Sequence, residues 1–229
     1  MENTARAAVA ELVATFALIF IGGGAVLAYA NNALDLTGVA LAHGLVLAIM
    51  VSVTAHISGG IVNPAVAISL WVTGKLSSQR TFILIVAQLA GAVAGAFMLK
   101  FLVPEIVFEQ GSGGIPALGT GVAIGKGILI EAVCMFFLVF AVFGTAVDER
   151  GPFSKTAGLT IGLVLAFDIM AFGPFTGAAM NPARWFGPAL VTGDWSDWWV
   201  WIVGPLAGGV IAGVLYWAVF LKASESPTP

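Results

Sequence analysis

Long apolar runs with few polar interruptions make up most of this 229-residue chain. None of them alternates apolar and polar positions with a period of two, so they predict helices rather than the strands of a membrane barrel. A helix needs about 20 mostly apolar residues to cross the hydrocarbon core of a bilayer. The pattern therefore predicts an all-α membrane protein with six transmembrane helices, at about residues 7–30, 38–57, 81–103, 123–147, 156–173 and 198–221.

Two further apolar stretches, residues 64–72 and 182–191, are too short to span the membrane. At about 1.5 Å per residue, each would cover roughly half of its thickness. Both begin at an Asn-Pro-Ala motif, in which Asn is a strong N-cap and Pro suits the first helical position. They predict two re-entrant half-helices, opened by Asn63-Pro64-Ala65 and by Asn181-Pro182-Ala183.

The composition excludes several classes of protein. Only 9% of the residues are charged, 59% are apolar and the net charge is −3. A soluble domain has about 25% charged residues, and a nucleic-acid partner requires a basic surface. The one cysteine, Cys134, cannot form a disulfide within the chain, and no catalytic triad or metalloprotease motif is present. We therefore expect no enzymatic activity, no metal site, no cofactor and no nucleic-acid partner.

The second half of the chain repeats the first. Gly44-Leu45-Val46-Leu47-Ala48 recurs at residues 162–166, and the Asn-Pro-Ala motif recurs at the same offset of 118 residues. Each copy contains three spans, so the second is inverted relative to the first, and the working site is expected between the halves. The predicted division is a first repeat at 1–103 with half-helix 64–72, an external connecting loop at 104–122, an inverted repeat at 123–222 with half-helix 182–191, and a polar C-terminal tail at 223–229.

The two half-helices would enter from opposite faces and meet with their N-termini near the midplane. Each N-terminus carries roughly half a positive charge, which opposes a cation but not a neutral dipolar solute. The side-chain amides of Asn63 and Asn181 supply hydrogen-bond donors, and the carbonyls of the preceding loops supply acceptors. This predicts a pore for small neutral molecules. The alternative is an ion- or proton-coupled secondary transporter of a small polar solute, which also uses inverted repeats and broken helices.

Taken together, these motifs resemble the aquaporin (major intrinsic protein) family over about residues 7–222. The resemblance implies a passive channel for water that excludes ions and protons, assembled in the bilayer as a homotetramer with one pore per subunit. The resemblance rests on the two Asn-Pro-Ala motifs (the Asn-Pro-Ala boxes), one in each three-span repeat. It also rests on Ala10-Glu11, His56-Ile57-Ser58-Gly59, Asn181-Pro182-Ala183-Arg184, Phe186-Gly187-Pro188 and Val203-Gly204-Pro205.

The resemblance also implies a selectivity constriction near the external side. Trp185 and Ala189 stand where glycerol-facilitating members carry an Asp and a basic residue, so at most weak glycerol passage is expected. An arginine inside a membrane normally lines a cavity or pairs with another group. The implied constriction is similar to that of plant tonoplast-type members, which pass water and in some cases ammonia, and it consists of His43, Ile169, Ala178 and Arg184.

Glu11 and Glu131 are acids within the membrane and are therefore candidates for function. In one interpretation each carboxylate accepts hydrogen bonds from the N–H groups of its own repeat's re-entrant loop; in the other, the two acids relay protons. Their symmetric placement and the resemblance favour loop anchors. His56, which precedes the first Gly-rich loop, is expected to pin that loop, whereas Asp168 has no acidic counterpart in the first repeat and receives no role.

The basic residues give the orientation. One side of the predicted topology holds Arg6, Lys75, Arg80, Arg150, Lys155 and Lys222, and the other holds Lys100 and Lys126. The positive-inside rule then places both termini in the cytoplasm, and we expect the plasma membrane as the location. A tryptophan cluster at the external end of the sixth span predicts an interfacial belt of Trp195, Trp198, Trp199 and Trp201.

Overall fold

The computed structural model describes residues 2–222, and the predicted polar tail at 223–229 lies outside them. Within this part of the chain, six helices are long and apolar enough to cross a membrane, so the predicted number of spans is confirmed. The helices are α1 Glu2–Ala30, α2 Leu36–Ser58, α3 Pro64–Val72, α4 Ser78–Leu102, α5 Glu105–Gln110, α6 Ile124–Val142, α7 Ala157–Thr176, α8 Pro182–Thr192 and α9 Trp199–Tyr216. Helices α6 and α9 each continue into a π-helical turn, Phe143–Val147 and Trp217–Leu221.

The helix boundaries follow from local chemistry. The side chain of Asp35 caps α2 by accepting a 2.7 Å hydrogen bond from the N–H of Gly38. Helices α2 and α7 both end at a glycine in the left-handed region, Gly59 (φ 105°) and Gly177 (φ 79°), which costs other residues more. Helix α7 runs to Thr176, three residues beyond the predicted span, because Pro174 is accommodated inside it.

The connection at 104–122 has more structure than the sequence pattern predicts. It contains α5 and a 3₁₀ turn, Ser112–Gly114. Gly113 and Gly114 both adopt positive φ. At Gly114 the chain also approaches the backbone of Gly23 so closely that a Cβ would lie 3.0 Å from its Cα. This loop is therefore packed onto α1 rather than extended away from it.

The two repeats use equivalent packing. Helix α1 packs on α4 and α6 packs on α9. Gly91 lies against the carbonyl of Leu12, and Gly208 against the carbonyl of Ala132, so that a Cβ at either glycine would overlap backbone. These small residues thus allow close helix crossings, as expected for helices that pack in a membrane.

The halves interlock at the centre. Helices α2 and α7 cross at Gly44 and Gly162, where a Cβ on either glycine would overlap the carbonyl oxygen of the other. Each half-helix packs against a spanning helix of the opposite repeat: Ser69 on α3 donates a 2.8 Å hydrogen bond to the carbonyl of Gly209 on α9. The fold is the predicted one, with six transmembrane helices and two half-helices in an inverted repeat, and it places the ends of α3 and α8 at the centre of the bundle.

Candidate pore and constriction

The two Asn-Pro-Ala boxes meet across the interface between the repeats. Asn63 and Asn181 are the N-caps of α3 and α8, and Pro64 and Pro182 occupy the first helical positions. The side-chain oxygen of Asn63 accepts a 2.9 Å hydrogen bond from the N–H of Ala65, and that of Asn181 accepts a 3.0 Å bond from the N–H of Ala183. Each amide oxygen is therefore occupied by its own helix.

The amide nitrogens of the same two residues bind across the interface. Nδ2 of Asn63 donates to the carbonyl of Met180 at 2.8 Å, and Nδ2 of Asn181 donates to the carbonyl of Val62 at 3.0 Å. An amide nitrogen carries two hydrogens, so each Asn has one N–H besides this bond. Nδ2 of Asn63 also lies 3.9 Å from Sδ of Met135, which is a weak acceptor. Both residues line one cavity of about 1080 Å³. The midplane of this cavity consequently presents donors from two opposed helix N-termini.

The carboxylates of Glu11 and Glu131 hold the two re-entrant loops in equivalent ways. Glu11 accepts hydrogen bonds from Ser58 Oγ (2.6 Å), Ile61 N (2.8 Å) and Val62 N (2.6 Å). Glu131 accepts the equivalent bonds, each from a donor 118 residues further along: Thr176 Oγ1 (2.7 Å), Ala179 N (2.9 Å) and Met180 N (2.6 Å). These are the contacts that the anchor interpretation predicts.

The anchored residues have strained backbones. Val62 (φ 54°) and Met180 (φ 50°) are equivalent in the repeat, and both lie in the left-handed region, which is unfavourable for a β-branched residue such as Val62. Each is held from both sides, because its N–H binds a glutamate and its carbonyl accepts from the opposite Asn amide. Strain of this kind persists only where the surroundings determine the conformation, and it is concentrated at functional sites.

The four residues of the implied constriction line the same cavity as the Asn pair. Arg184, directly after the second box, donates from Nε to Nε2 of His43 at 3.2 Å and from Nη1 to the carbonyl of Gly114 at 2.7 Å. Nδ1 of His43 lies 2.9 Å from the carbonyl of Val39. Since a carbonyl only accepts, this places the imidazole proton on Nδ1 and leaves Nε2 free to accept from Arg184.

Ile169 and Ala178 are the apolar members of the implied constriction, and both are buried. Ala178 has a φ of 43°, which turns the chain of the second re-entrant loop toward the cavity. The ring of His43 fits only because residue 22 is glycine: a Cβ there would overlap the imidazole. Gly22 and Gly114 were not predicted as site residues; the pair Gly113-Gly114 in a loop was the available signal.

His56 does not pin the first re-entrant loop. Its side chain is exposed and lines the cavity, and within residues 2–222 no hydrogen bond joins its imidazole to the loop. That role falls instead to Ser58, which bonds Glu11, and to Arg80, whose Nη2 donates to the carbonyl of Ser58 at 3.1 Å. His56 belongs to a basic mouth, which we define as the cavity end lined by His56, Lys75, Arg80 and Lys155.

Two other sequence predictions need adjustment. Trp201 is only 2% exposed and is therefore no part of an interfacial belt, whereas Trp195, Trp198 and Trp199 are at least 37% exposed.

Asp168, to which the sequence assigns no role, is buried beside Cys134 and Glu131, between α7 and α6. Among the described residues its Oδ2 atom has no hydrogen-bond partner. Asp168 does not line the cavity.

This geometry defines an inverted-repeat membrane channel with two capped half-helices at its centre. Residues 1–216 match the family model described as Major intrinsic protein. The chain therefore belongs to the major intrinsic protein family.

Individual relatives agree with this assignment. The chain is 44% identical to "Aquaporin TIP4-4" of Zea mays, over 98% of this chain and 90% of the relative. It is 40% identical to "Aquaporin TIP2-1" of Arabidopsis thaliana, over 96% and 89%. Its fold is similar to the X-ray structure of the aquaglyceroporin from Plasmodium falciparum, with a TM-score of 0.87 at 24% identity, covering 96% of this chain and 98% of that one.

Proposed function

We propose that the chain is a passive transmembrane channel whose main solute is water, and that it admits ammonia more slowly and glycerol weakly. The observation that carries the proposal is the paired donor site at Asn63 and Asn181, set between two helix N-termini in one cavity. The relatives of this chain that are named aquaporins support the same class of function. The residue roles that follow are part of the proposal.

The midplane explains why protons would not follow water. A water molecule that accepts an N–H from each Asn has both of its lone pairs occupied. The two side chains act toward it only as donors, because each amide oxygen already accepts from its own helix. This water molecule cannot then accept a hydrogen bond from the water on either side, so the chain of waters is interrupted there. The positive ends of α3 and α8, roughly half a charge each, oppose a hydrated proton or a metal cation at the same point.

The constriction explains the expected order of solutes. Arg184 offers donors to a passing oxygen and repels cations, and His43 narrows the opening beside it. Ile169 cannot form hydrogen bonds, so one wall does not replace the hydration of a polyol. Water needs the fewest hydrogen bonds from the walls, and ammonia is of similar size. Glycerol loses the most hydrogen bonds to water when it enters an opening that has one apolar wall.

The wall of the cavity does not favour the coupled transporter. Glu149, near the basic mouth, is the one carboxylate that lines the cavity among the described residues. Glu11 and Glu131 are 0% exposed and their oxygens are engaged by their loops. A proton-coupled site would place a titratable acid beside the solute, near the Asn pair.

The decisive experiment is stopped-flow light scattering on proteoliposomes under a mannitol gradient and then a glycerol gradient, with empty vesicles of the same lipid as control. A pH-sensitive dye inside the vesicles reports protons in parallel. We expect faster osmotic shrinkage, slow glycerol re-swelling and no proton flux. Solute flux that requires a pH or ion gradient would overturn the proposal and favour the transporter.

We further propose that both termini face the cytoplasm, that four copies form the functional assembly, and that the chain acts without catalytic activity. The orientation is supported by six basic residues on one side of the topology against two on the other. Protease access to a C-terminal tag in intact cells tests the orientation. Native mass measurement in detergent tests the tetramer.

The location in the plasma membrane is also a proposal. The constriction resembles that of tonoplast-type members, so an internal membrane is the competing location. A fluorescent fusion of the full chain, imaged with markers for both membranes in the source cells, separates the two. Signal confined to an internal membrane would contradict the proposal.

A further inference from the structure

Two buried indole rings, one on α8 and one on α9, pack against each other. Trp185 and Trp201 are 3% and 2% exposed, and their rings are parallel within 8° with centroids 6.3 Å apart. We call this pair the Trp185–Trp201 stack. Together with Ala179, Ala189 and Val200 it forms an apolar cluster separate from the main core.

The stack is connected to two members of the constriction. Trp185 follows Arg184 directly on α8. Trp201, on α9, donates from Nε1 to the carbonyl of Thr176 at 3.1 Å. Thr176 ends α7 two residues before Ala178, and its hydroxyl accepts a 3.1 Å bond from the N–H of Ala178. The pair of rings therefore links the helix that carries Arg184 with the backbone just before Ala178.

The first repeat shows which part of this arrangement is general. Ser58 is the equivalent of Thr176, and its carbonyl is also held by a donor from the third spanning helix of its repeat, Arg80 Nη2 at 3.1 Å. A buried carbonyl needs such a partner in either loop. The stack, however, has no counterpart, because Trp185 and Trp201 correspond to Ala67 and Leu84. The aromatic pair is thus present only in the half that carries the constriction.

We infer that Trp185 and Trp201 are positioning residues that set the width of the constriction, and through it the discrimination between water and larger solutes. This inference rests on the proposed channel function. Ala178 is held at a φ of 43°, a conformation that alanine leaves when its restraints weaken. Removing the Nε1 donor lets the segment after Thr176 relax, and the position of Ala178 relative to Arg184 changes with it.

The test compares the ratio of glycerol to water permeability in proteoliposomes at matched density of folded protein. Trp201→Phe keeps an aromatic ring but loses the donor, and we expect the ratio to rise about fivefold, the factor set by the free energy of one net hydrogen bond. Trp185→Leu removes the stacking and should change the ratio in the same direction. A purely structural role would lower both permeabilities in proportion and leave the ratio unchanged.

Trp199→Phe is the matched control, because Trp199 lies two residues away on the same helix, is 47% exposed and stacks on Trp198. It should leave the ratio unchanged. An unchanged ratio in Trp201→Phe, or an equal rise in Trp199→Phe, overturns the inference. If Trp201→Phe does not fold, the same criterion applies to Trp185→Leu, whose substitution leaves the Thr176 hydrogen bond in place.

A second measurement separates this inference from the proposed function. In a Cys134→Ala/Ala178→Cys background, a small neutral methanethiosulfonate reagent added from outside reports access to position 178 without any solute flux. We expect Trp201→Phe to speed the labelling about fivefold as well. If the unmodified chain carries no water but labelling still accelerates, the proposed function fails, and the part of the inference that concerns the width of the opening stands. If water flows and labelling is unchanged, the inference fails alone.

Discussion

The guanidinium of Arg184 donates a 3.2 Å hydrogen bond from Nε to Nε2 of His43, so the two largest polar side chains of the proposed constriction orient each other. One comes from α2 of the first repeat and the other from α8 of the second. The carbonyl of Gly114 holds a second nitrogen of the same guanidinium. The proposed constriction therefore draws on three distant segments of the chain, and we expect its width to depend on all of them.

His43→Ala removes the imidazole from one side of this opening. We expect glycerol permeability relative to water to rise about tenfold, because a hydrophobic pocket discriminates by roughly that factor for a small change in size. Light scattering with mannitol and then glycerol measures the ratio. His56→Ala is the matched control, since His56 is the other histidine and lies at the basic mouth. An unchanged ratio in His43→Ala would show that His43 does not limit the opening.

Glu11→Gln and Glu131→Gln convert one acceptor oxygen into a donor that faces the N–H groups of the loop. Each buried N–H left unpaired costs about 1–3 kcal/mol, so both variants should unfold at lower temperature and carry less water. Thermal unfolding in detergent and water flux are measured on the same preparations. Two stable variants that carry normal water but lose a proton flux present in the unmodified chain would instead favour the proton relay.

Most of the residues at the centre of the bundle could be predicted from the sequence, for a physical reason. Each Asn-Pro-Ala box is a local helix start, and residues that act in pairs recur at one offset, so Ser58 and Thr176 or Val62 and Met180 could be matched without coordinates. Half-helix α3 has the predicted bounds, and α8 is one residue longer than predicted.

Contacts made by irregular backbone could not be predicted in the same way. The Gly114 carbonyl and the bond from Trp201 to Thr176 join segments far apart in sequence, and neither has a periodic pattern. The prediction for His56 is wrong because sequence position does not determine the direction of a side chain at a helix end. The hydroxyl two residues later, on Ser58, is short enough to reach Glu11 inside the packed loop.

Asp168→Asn should leave the protein as stable as the unmodified chain or make it more stable. The carboxyl group is 2% exposed, and its Oδ2 atom has no hydrogen-bond partner among the described residues. Oδ2 has no hydrogen bond to lose, and an amide cannot ionise in this buried position, where a charge without a partner is costly. Glu131→Gln should therefore unfold at a clearly lower temperature than Asp168→Asn. An equal loss in both would show that the Asp168 carboxylate is required.

Asp148 joins the loop between α6 and α7 to the end of α9. Its Oδ2 accepts from Arg150 at 2.6 Å and from the hydroxyl of Tyr216 at 3.1 Å, and Arg150 also donates to the carbonyl of Phe220 at 2.9 Å. The hydrogen bonds from Arg150 hold the pKa of Asp148 well below its ordinary value of 3.8. A carboxyl group whose pKa is lowered in the folded state stabilises the folded state at pH values above its unfolded-state pKa. This stabilisation is lost as the pH falls through the folded-state pKa.

Asp148→Asn should therefore speed hydrogen exchange in residues 148–156 at pH 7. The unmodified loop should show constant protection from pH 6 to 8 and lose it only below about pH 4. Glu149→Gln, one residue along, is the control. Protection that changes between pH 6 and 8 would mean that another group holds the loop.

Arg184→Val removes the one cation of the constriction together with the donors to His43 and Gly114. The helix ends at the midplane remain, so we expect water to pass still, while proton or small-cation leakage rises about tenfold above empty vesicles. An internal pH dye and a potassium diffusion potential measure the leak.

Arg184→Lys is the matched variant, because it keeps the charge but cannot bond both partners in a fixed fork. We expect Arg184→Lys to remain impermeable to cations, while its ratio of glycerol to water permeability rises. If Arg184→Val is as tight as the unmodified channel, the two half-helix N-termini alone provide the barrier, and the arginine serves the size and hydrogen bonding of the opening rather than its charge.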